Sequence, residues 1–413
     1  MNESPMRVCM LLESFYPVVG GMESQARNMI VSLTAIGIPV LIVTRRTQRD
    51  WPRVDNVYGV PVYRVSPAGA VPHARWLLAL SCIPTLIRLR KQYDIILVPG
   101  LRTLGIPAVI VGKLLRKLSI LAGASAGEFS GAFFAGGLKH RGLGAQGWPV
   151  RLLLGLRNRL FARATALISL SAEMTAEFTG AGAPPDRIHL IPNTLDDTVF
   201  KPVTPETKAA LRRKLGLPID TVVAVFSGRI VSYKGVPNLT RVWERLRAAH
   251  PETRLVLVGG GGSDLFNCEE TVRAFVDSHG LRDRVTMTGF VDNVSEYLQA
   301  ADIFVFPSES EAFPLALLEA MACALPVIST RVGGIPDAIT HEQNGLLIDP
   351  GRDDQLQAAV ECLLTDAPLR ERLAAAALDT VRQRYLPKRV AEQYKELFLN
   401  CIRSRKRHRR KAT

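Results

Sequence analysis

Short apolar runs alternate with longer stretches of helical periodicity along the whole chain. This pattern predicts strands at 7–12, 39–44, 60–65, 95–99, 120–123, 167–170, 189–191, 222–226, 255–258, 285–287, 303–306, 327–329 and 346–348. A helix is expected at 22–36, where Gly37 ends it, and further helices fill most intervals between the strands. Strands that alternate with helices are typical of parallel sheets with helical crossovers, so an α/β fold is predicted.

The pattern occurs twice, which indicates two domains in a chain of 413 residues. We predict an N-terminal Rossmann-like domain over 1–200 and a C-terminal Rossmann-like domain over 201–390. A helix over 391–402 is expected to cross back to the first domain, followed by a basic tail over 403–413. Residues 201–220, with their prolines, glycine and charged run, are the best candidate linker. The natural assembly is two such halves that face each other across a cleft.

Composition narrows the class of protein. Hydrophobic residues make up 47% of the chain, as in a globular protein, yet no apolar run reaches the roughly 18 residues of a membrane span. The first residues lack the basic and apolar segments of a signal peptide. The six cysteines are scattered and form no C-x-x-C pair. These features predict a reduced, cytoplasmic protein.

The net charge of +14 is unevenly distributed. Residues 1–200 and the tail are basic, whereas 201–402 are mildly acidic. The tail fits either an anionic membrane surface or a merely disordered, soluble terminus. Because it lacks interleaved aromatic residues, no nucleic-acid partner is predicted.

Residues 148–164 combine arginines with leucines and a tryptophan, which is typical of a helix on an anionic lipid surface. The alternative is a crossover helix that packs on its sheet and turns its charged face to water. The segment 101–118, with Lys113, Arg116 and Lys117, is a candidate for the same surface.

Candidate chemistry follows the strand at 303–306. Glu311 lies in the loop after this strand, and Pro314 marks the start of a helix that carries Glu319. In open α/β sheets ligands bind at the carboxyl ends of the strands. Two carboxylates that bracket a strand-to-helix turn there are placed to hold hydroxyl groups of a polar ligand.

Arg229 and Lys234 follow the strand at 222–226 and are expected at the same edge as Glu311. A guanidinium and an ammonium together suit a diphosphate. Cations for phosphate and carboxylates for sugar hydroxyls suggest a nucleotide-sugar site.

Two glycine clusters also follow strands. Gly20 and Gly21 would let backbone N–H groups approach a phosphate or sugar at a helix N-terminus, although a simple tight turn has the same pattern. The run 259–262, with Gly260 at its centre, fits contacts to a nucleotide base or a plain flexible turn. Neither is the G-x-G-x-x-G fingerprint, which disfavours a dinucleotide oxidoreductase.

Taken together, these motifs closely resemble the retaining glycosyltransferases of family 4, which have the GT-B fold. The resemblance rests on Arg229, on Lys234 with Gly235, and on a Glu-x7-Glu motif formed by Glu311 and Glu319. Further matching pieces, in order, are 191–193, Asp196, Phe200, 259–261, 289–290, 325–327, 333–336 and 344–345. The match spans roughly residues 7–390 and is most specific in the C-terminal half.

The resemblance implies a retaining, metal-independent transfer of a sugar from a UDP-, GDP- or ADP-sugar, with no cofactor. It implies Glu311, Arg229 and Lys234 as catalytic residues, with Glu311 near the donor sugar and Glu319 on the ribose. The implied donor-binding residues are Gly20, Gly21, Arg229, Lys234, Gly260, Glu311, Phe313, Pro314, Leu315 and Glu319. No D-x-D triplet occurs in the chain, so no metal site is predicted.

One position departs from the family pattern. Many members have a histidine at the end of a first-domain strand, but the matching segment here, 120–131, contains none. Ser125, Glu128 or Ser130 are the candidates to supply polar contacts instead, and His140 is the nearest histidine in sequence.

The predicted acceptor is a glycan or a lipid-linked intermediate of cell-surface polysaccharide or glycolipid synthesis, at the inner membrane face. Two alternatives remain open. One is a soluble synthase of the sucrose or glycogen type, and the other is a non-catalytic binder of sugar nucleotides or glycans, suggested by the missing histidine.

Overall fold

The structure is a computed structural model that describes residues 6–18, 20–131 and 148–411, with side chains left out at 148–149 and 406–411. His140 and Val19 lie outside the described residues. The chain forms two compact units, Met1–Thr194 with Pro387–Thr413, and Leu195–Leu386. The predicted domain boundary at residue 200 therefore falls a few residues earlier, between Thr194 and Leu195.

The first unit is built around an eight-stranded sheet in the order β3-β4-β2-β1-β5-β6-β7-β8. Its strands are β1 (Val8–Leu11), β2 (Val40–Arg45), β3 (Val54–Val57), β4 (Val60–Val65), β5 (Ile95–Pro99), β6 (Leu118–Ala122), β7 (Ala166–Ser169) and β8 (Ile188–Leu190). Its first helices are α1 (Gly21–Ala35), α2 (Ala74–Arg88), α3 (Gly105–Leu114), α4 (Trp148–Phe161) and α5 (Ala172–Gly180). All strand pairs are parallel except β3 with β4. The central strands are apolar and fully buried, as strands covered on both faces must be.

The second unit contains a six-stranded, fully parallel sheet in the order β11-β10-β9-β12-β13-β14. Its strands are β9 (Val223–Ser227), β10 (Arg254–Val258), β11 (Val285–Gly289), β12 (Ile303–Phe306), β13 (Val327–Thr330) and β14 (Leu346–Ile348). Its helices are α6 (Pro205–Leu215), α7 (Val236–Leu246), α8 (Glu269–Ser278), α9 (Val294–Ala300), α10 (Leu315–Ala322), α11 (Ile335–Ala338), α12 (Asp353–Thr365) and α13 (Ala367–Arg384). Each unit is thus a Rossmann-like α/β layer structure, as predicted.

The last helix, α14 (Pro387–Lys411), belongs to the first unit, where it packs against α1. Its apolar face, including Tyr394 and Phe398, is buried in the core of that unit. The helix predicted over 391–402 is therefore part of a longer one that also includes most of the basic tail. Among the described residues, no helix is both long and apolar enough to cross a bilayer.

The predicted linker at 201–220 is wrong, because these residues form α6 and its flanks inside the second unit. Thr204 caps the helix by accepting a hydrogen bond from the Thr207 N–H. The buried Arg212 guanidinium donates to the carbonyls of Ala300, Ile219 and Thr221, and it pairs with Asp302. The prediction failed because Pro205 suggested a loop, whereas proline is also favoured at the first position of a helix.

Strand β3 was not predicted, because its four residues are mostly polar or exposed. It pairs with β4 through a two-residue turn, in which Tyr58 and Gly59 both have positive φ. That is the dihedral signature of a tight hairpin turn. The other predicted strands agree with the structure to within one or two residues.

Candidate functional site

Three adjacent parallel strands of the second unit send their loops to the same sheet edge. Arg229 and Lys234 follow β9, the glycine run 259–262 follows β10, and Glu311 follows β12. Strand β9 lies between β10 and β12. The predicted cations and carboxylate therefore lie on neighbouring loops, where parallel strands end together.

Lys234 and Glu311 form an ion pair across the loops that follow β9 and β12. The two side chains are largely removed from water, with 14% and 8% of their surfaces exposed. The ammonium of Lys234 also lies 5.1 Å from the centroid of the Phe306 ring. This pair places a positive and a negative group side by side at the strand ends, in a setting of low dielectric where both act strongly.

Arg229 lies beside this pair and is more open to solvent, with 53% of its side chain exposed. One guanidinium nitrogen donates to the hydroxyl of Tyr233 at 2.6 Å, and another pairs with Asp264 from the loop after β10. Burial raises the pKa of Tyr233, so its hydroxyl stays neutral. Sequence reasoning missed Asp264, for which the only signal was an acidic residue shortly after the glycine run.

Close backbone packing fixes the two loops to each other. Gly235 has a φ of +71°, and a Cβ at this position would overlap the carbonyl oxygen of Pro307. The Glu309 N–H donates to the Tyr233 carbonyl at 2.8 Å, which joins the same two loops. Gly333 has the same role on the other side, since a Cβ there would overlap the carbonyl of Glu311. Glycines at both positions let the backbone hold Lys234 and Glu311 in place.

Helix α10 begins at Leu315, directly after Pro314, whose extended backbone makes it the N-cap residue. The Phe313 side chain is buried, and its ring centroid lies 5.6 Å from that of Tyr385. The predicted stretch 313–315 therefore presents the start of a helix at the strand edge, while the Phe313 ring belongs to the core.

Glu319 lies in the second turn of α10 and is half-buried. Desolvation raises the pKa of its carboxyl group to about 7. This group receives no hydrogen bond and no ion pair from any residue that the structure describes. An unsatisfied carboxyl group of this kind is a natural acceptor for ligand hydroxyls.

The glycine run connects to the same site. Gly259 and Gly262 have positive φ, and the Gly260 carbonyl accepts a hydrogen bond from the Ile230 N–H at 3.1 Å. A Cβ on Gly260 would come within 2.9 Å of the ring of Phe290, which is 72% exposed. The run is thus an ordered loop that leaves backbone groups beside an exposed aromatic ring.

In the first unit, Gly20 and Gly21 lie at the N-terminus of α1, with Gly20 as the N-cap residue. Gly20 has an extended backbone that any residue could adopt, and a Cβ there would come within 2.7 Å of the Glu23 carboxylate. Nothing lies within 4 Å of a Cβ on Gly21. Gly21 therefore leaves open space at a helix N-terminus, whereas the Glu23 carboxylate fills the space beside Gly20.

The segment after β6 forms a self-contained network. Glu128 is fully buried, and its carboxylate accepts hydrogen bonds from Arg102 at 2.7 Å and from the Ala124 N–H at 3.2 Å. Burial raises the pKa of Glu128, an effect that Arg102 partly opposes. Ser125 accepts a hydrogen bond from Arg102, and Ser130 is exposed. Glu128 is therefore not accessible to a ligand, and only the two serines remain as substitutes for the missing histidine.

No cluster of three or more potential metal-ligating side chains occurs within the described ranges.

Two family models match this chain, one in each unit. The model described as "Glycosyl transferase 4-like domain" covers residues 20–194, and the model "Glycosyl transferases group 1" covers residues 207–380.

Curated relatives agree with these matches. The chain is 39% identical over 203 residues to the D-inositol 3-phosphate glycosyltransferase of Stackebrandtia nassauensis, covering 48% of this chain and 45% of that protein. It is 30% identical over 383 residues to the enzyme of the same name from Pseudarthrobacter chlorophenolicus, covering 87% and 85%. It is 33% identical over 238 residues to the lipopolysaccharide core biosynthesis glycosyltransferase LpsD of Rhizobium meliloti, covering 58% and 64%. The matched region spans about half the length of the first curated relatives.

Among solved structures, Anabaena Alr3699/HepE in complex with UDP-glucose superposes with a TM-score of 0.75 at 20% identity, covering 96% of this chain and all of that one. This likeness shows that the chain has the GT-B fold. The two family models and the long match to the Pseudarthrobacter enzyme show that the chain belongs to the group 1 glycosyltransferases of family 4.

Proposed function

We propose that this protein is a retaining glycosyltransferase that moves a sugar from a nucleoside-diphosphate sugar to a glycan or a lipid-linked acceptor. The observation that carries the proposal is the Lys234–Glu311 ion pair with Arg229 beside it, at one strand edge of the second unit. A cation pair suits the diphosphate, and the carboxylate suits the sugar. The second unit is then the donor-binding unit, and the first unit holds the acceptor.

The diphosphate would be neutralised by Arg229 and Lys234 rather than by a metal ion. Arg229 is half-exposed and now pairs with Asp264, so a phosphate oxygen can take the place of that carboxylate. Positive charge aimed at a leaving diphosphate stabilises the transition state directly.

The remaining donor contacts follow from the same edge. The Glu319 carboxyl group, which has no partner in the described part of the chain, would accept hydrogen bonds from the ribose hydroxyls. Backbone groups near Gly260 would face the base, beside the ring of Phe290. The N-terminus of α10, at Pro314 and Leu315, would favour the negative diphosphate.

In the proposed reaction the acceptor hydroxyl attacks the anomeric carbon from the face that the diphosphate leaves. The bond from the anomeric carbon to the diphosphate oxygen breaks, a bond to the acceptor oxygen forms, and a diphosphate oxygen takes the acceptor proton. Glu311 would stabilise the positive charge that develops on the sugar, and Lys234 the negative charge on the leaving group. The configuration of the sugar is retained.

The acceptor is the least defined component. The LpsD relative is named for lipopolysaccharide core biosynthesis, and the first unit is rich in basic residues, which together favour a glycolipid at the inner membrane face. Gly21 leaves open space in that unit for a sugar or phosphate.

A donor panel tests this proposal. Purified protein is incubated with UDP-, GDP- and ADP-sugars, with and without EDTA, and released nucleoside diphosphate is measured. EDTA-resistant release from one donor supports a metal-independent transferase and identifies the nucleotide. Complete loss of release in EDTA would contradict the metal-free diphosphate site.

Single substitutions test the named residues. Arg229→Ala and Glu311→Gln are each expected to lower turnover by about 100-fold or more, the effect of removing one transition-state contact. Arg282→Ala, which removes an exposed arginine of the same unit, is the matched control and should leave turnover unchanged. Turnover near the wild-type value in both site variants would contradict the assignment.

Two alternatives give different results in these assays. A soluble synthase of the sucrose or glycogen type would use a water-soluble acceptor. A non-catalytic binder would bind one sugar nucleotide, measured by calorimetry, without turnover on any acceptor.

A further inference from the structure

The first unit carries an unusual number of large apolar side chains in water. Eight of them lie on three consecutive helices, α2, α3 and α4, and we call them the apolar face. They are Trp76, Leu77 and Leu80 on α2, Ile110 and Leu114 on α3, and Leu152, Leu153 and Leu156 on α4, each between 42% and 69% exposed. Scattered exposed leucines are normal, but a contiguous group of this size marks an interaction surface.

The eight side chains are neighbours because their helices are neighbours. Helix α3 packs beside α2 and also beside α4. On α2 the exposed apolar residues fall at positions 76, 77 and 80, and on α3 at 110 and 114, which is the spacing of a single helix face. The exposed apolar residues of α2 and of α3 thus each lie on one face, and all three helices are neighbours.

The charged side chains on the three helices are all basic, and the Arg75 guanidinium on α2 pairs with Glu13 from the loop after β1. The three helices contain no aspartate or glutamate. They contribute Arg88 and Lys113 at the C-terminal turns of α2 and α3, and Arg151 and Arg159 on α4, all exposed. On the outward face of α4, Leu152 and Leu156 are followed by Arg159, so apolar and cationic positions share one stripe.

The basic C-terminal helix reaches the same region. The Arg405 guanidinium of α14 donates to the backbone carbonyl of Arg116, two residues past Leu114. The start of the predicted basic tail is thus held next to the end of α3, within the first unit.

We propose that the apolar face docks this protein on the surface of an anionic lipid bilayer. Leucines and a tryptophan enter the interface, while arginines and lysines with long apolar stems keep their charges at the lipid phosphates. A second copy of this chain fits less well, because a two-fold contact would bring the cationic rim against itself. The proposal rests on the first unit alone and does not depend on the donor chemistry of the second.

The test is co-sedimentation of the full-length protein with vesicles of phosphatidylcholine alone and of phosphatidylcholine mixed with phosphatidylglycerol. The wild type should bind the anionic vesicles at low salt and release them as salt rises. The double variant Leu153→Glu/Leu156→Glu should lose about tenfold or more in vesicle affinity, since two interfacial leucines become charged. Arg151→Gln/Arg159→Gln should lose about tenfold on anionic vesicles only.

Val31→Glu is the matched control, because Val31 is 49% exposed on α1 of the same unit and outside the apolar face. Leu114→Glu introduces a glutamate on a second helix, α3, and is used if the double variant does not fold. The melting temperature and sugar-nucleotide binding of each variant show whether it is folded. Failure of the wild type to bind anionic vesicles would overturn the proposal. So would undiminished binding by the folded glutamate variants, or a wild-type dimer that these variants dissociate without any vesicle binding.

Discussion

The two units differ in how they treat buried carboxyl groups near the carboxyl ends of their strands. In the first unit, Glu128 is fully buried and accepts hydrogen bonds from Arg102 and from a backbone N–H. In the second unit, Glu319 is half-buried, has a pKa raised to about 7, and finds no partner among the described residues. One edge satisfies its charges internally, whereas the other leaves capacity for a ligand.

The paired charges differ in the same sense. Arg102 is mostly buried against Glu128, with 13% of its side chain exposed, while Arg229 is 53% exposed against Asp264. An exposed ion pair is worth little and exchanges readily for another anion, but a buried pair is costly to break. A charged side chain at a strand end is thus a candidate for ligand binding only when it is not already part of a buried ion pair.

The largest effect is expected from Glu128→Ala. It leaves the largely buried Arg102 without its carboxylate, which should cost about 3–5 kcal/mol of unfolding free energy. Urea unfolding would measure the change. Ser125→Ala, which removes only one hydrogen-bond acceptor of Arg102, is the control and should cost about 1 kcal/mol or less. Equal losses of unfolding free energy in the two variants would mean that the Arg102–Glu128 ion pair does not stabilise the first unit.

A smaller effect is expected from Glu319→Gln, and it depends on pH. The pKa of Glu319 rises on folding, so its contribution to stability is complete below about pH 4.5 and is lost as the pH rises through about 7. Between pH 5 and pH 8 the wild type should therefore lose about 2 kcal/mol relative to Glu319→Gln, allowing for partial exposure.

Urea midpoints of both proteins across this pH range provide the measurement, because the variant carries all other titrating groups unchanged. Parallel pH profiles for the two proteins would mean that Glu319 is already satisfied, and its contrast with Glu128 would disappear.

The smallest effect is expected from Asp264→Asn. This substitution removes the carboxylate that pairs with Arg229, so a diphosphate no longer competes with Asp264 for the Arg229 guanidinium. Donor affinity should rise by up to about fivefold, the equivalent of an exposed ion pair. Calorimetry with UDP, GDP and ADP measures it, and Asp277→Asn, which removes the carboxylate paired with the exposed Arg282, is a control. Weaker nucleotide binding in Asp264→Asn would instead make Asp264 a donor-binding residue.

Much of this site could be predicted because parallel α/β sheets bring strand ends together. Once β9 and β12 were recognised from their apolar runs, Lys234 and Glu311 had to lie at one edge, and the structure pairs them. Gly235 and Gly333 were recognised only as parts of motifs. Their physical role, to let two loops approach without a Cβ, became visible only from the packing.

Other predictions failed for a specific reason. Residues 201–220 looked like a linker from their prolines and charges, yet Arg212 is buried where two nearby carbonyls and two oxygens from the distant Ala300 and Asp302 accept its hydrogen bonds. Glu128 looked available for a ligand, yet its carboxylate forms an ion pair with Arg102, which lies 26 positions earlier in the chain. Local composition does not contain such long-range pairings.

The apolar face, too, was predicted only in part from the sequence. Residues 148–164 were recognised as amphipathic, and both interpretations of that stretch remained open. The contributions of Trp76 and Leu80 on α2 were not anticipated, since each helix by itself reads as a normal crossover.

The sequence by itself determined the α/β fold, the order of the strands along the chain and the edge at which the candidate site lies, because hydrophobic periodicity and crossover geometry are local properties. Only the tertiary structure decided which charges are free for a ligand, which are paired internally, and which apolar side chains gather into one surface. Those outcomes depend on contacts between residues far apart in sequence, where burial and distance set the strength of every interaction.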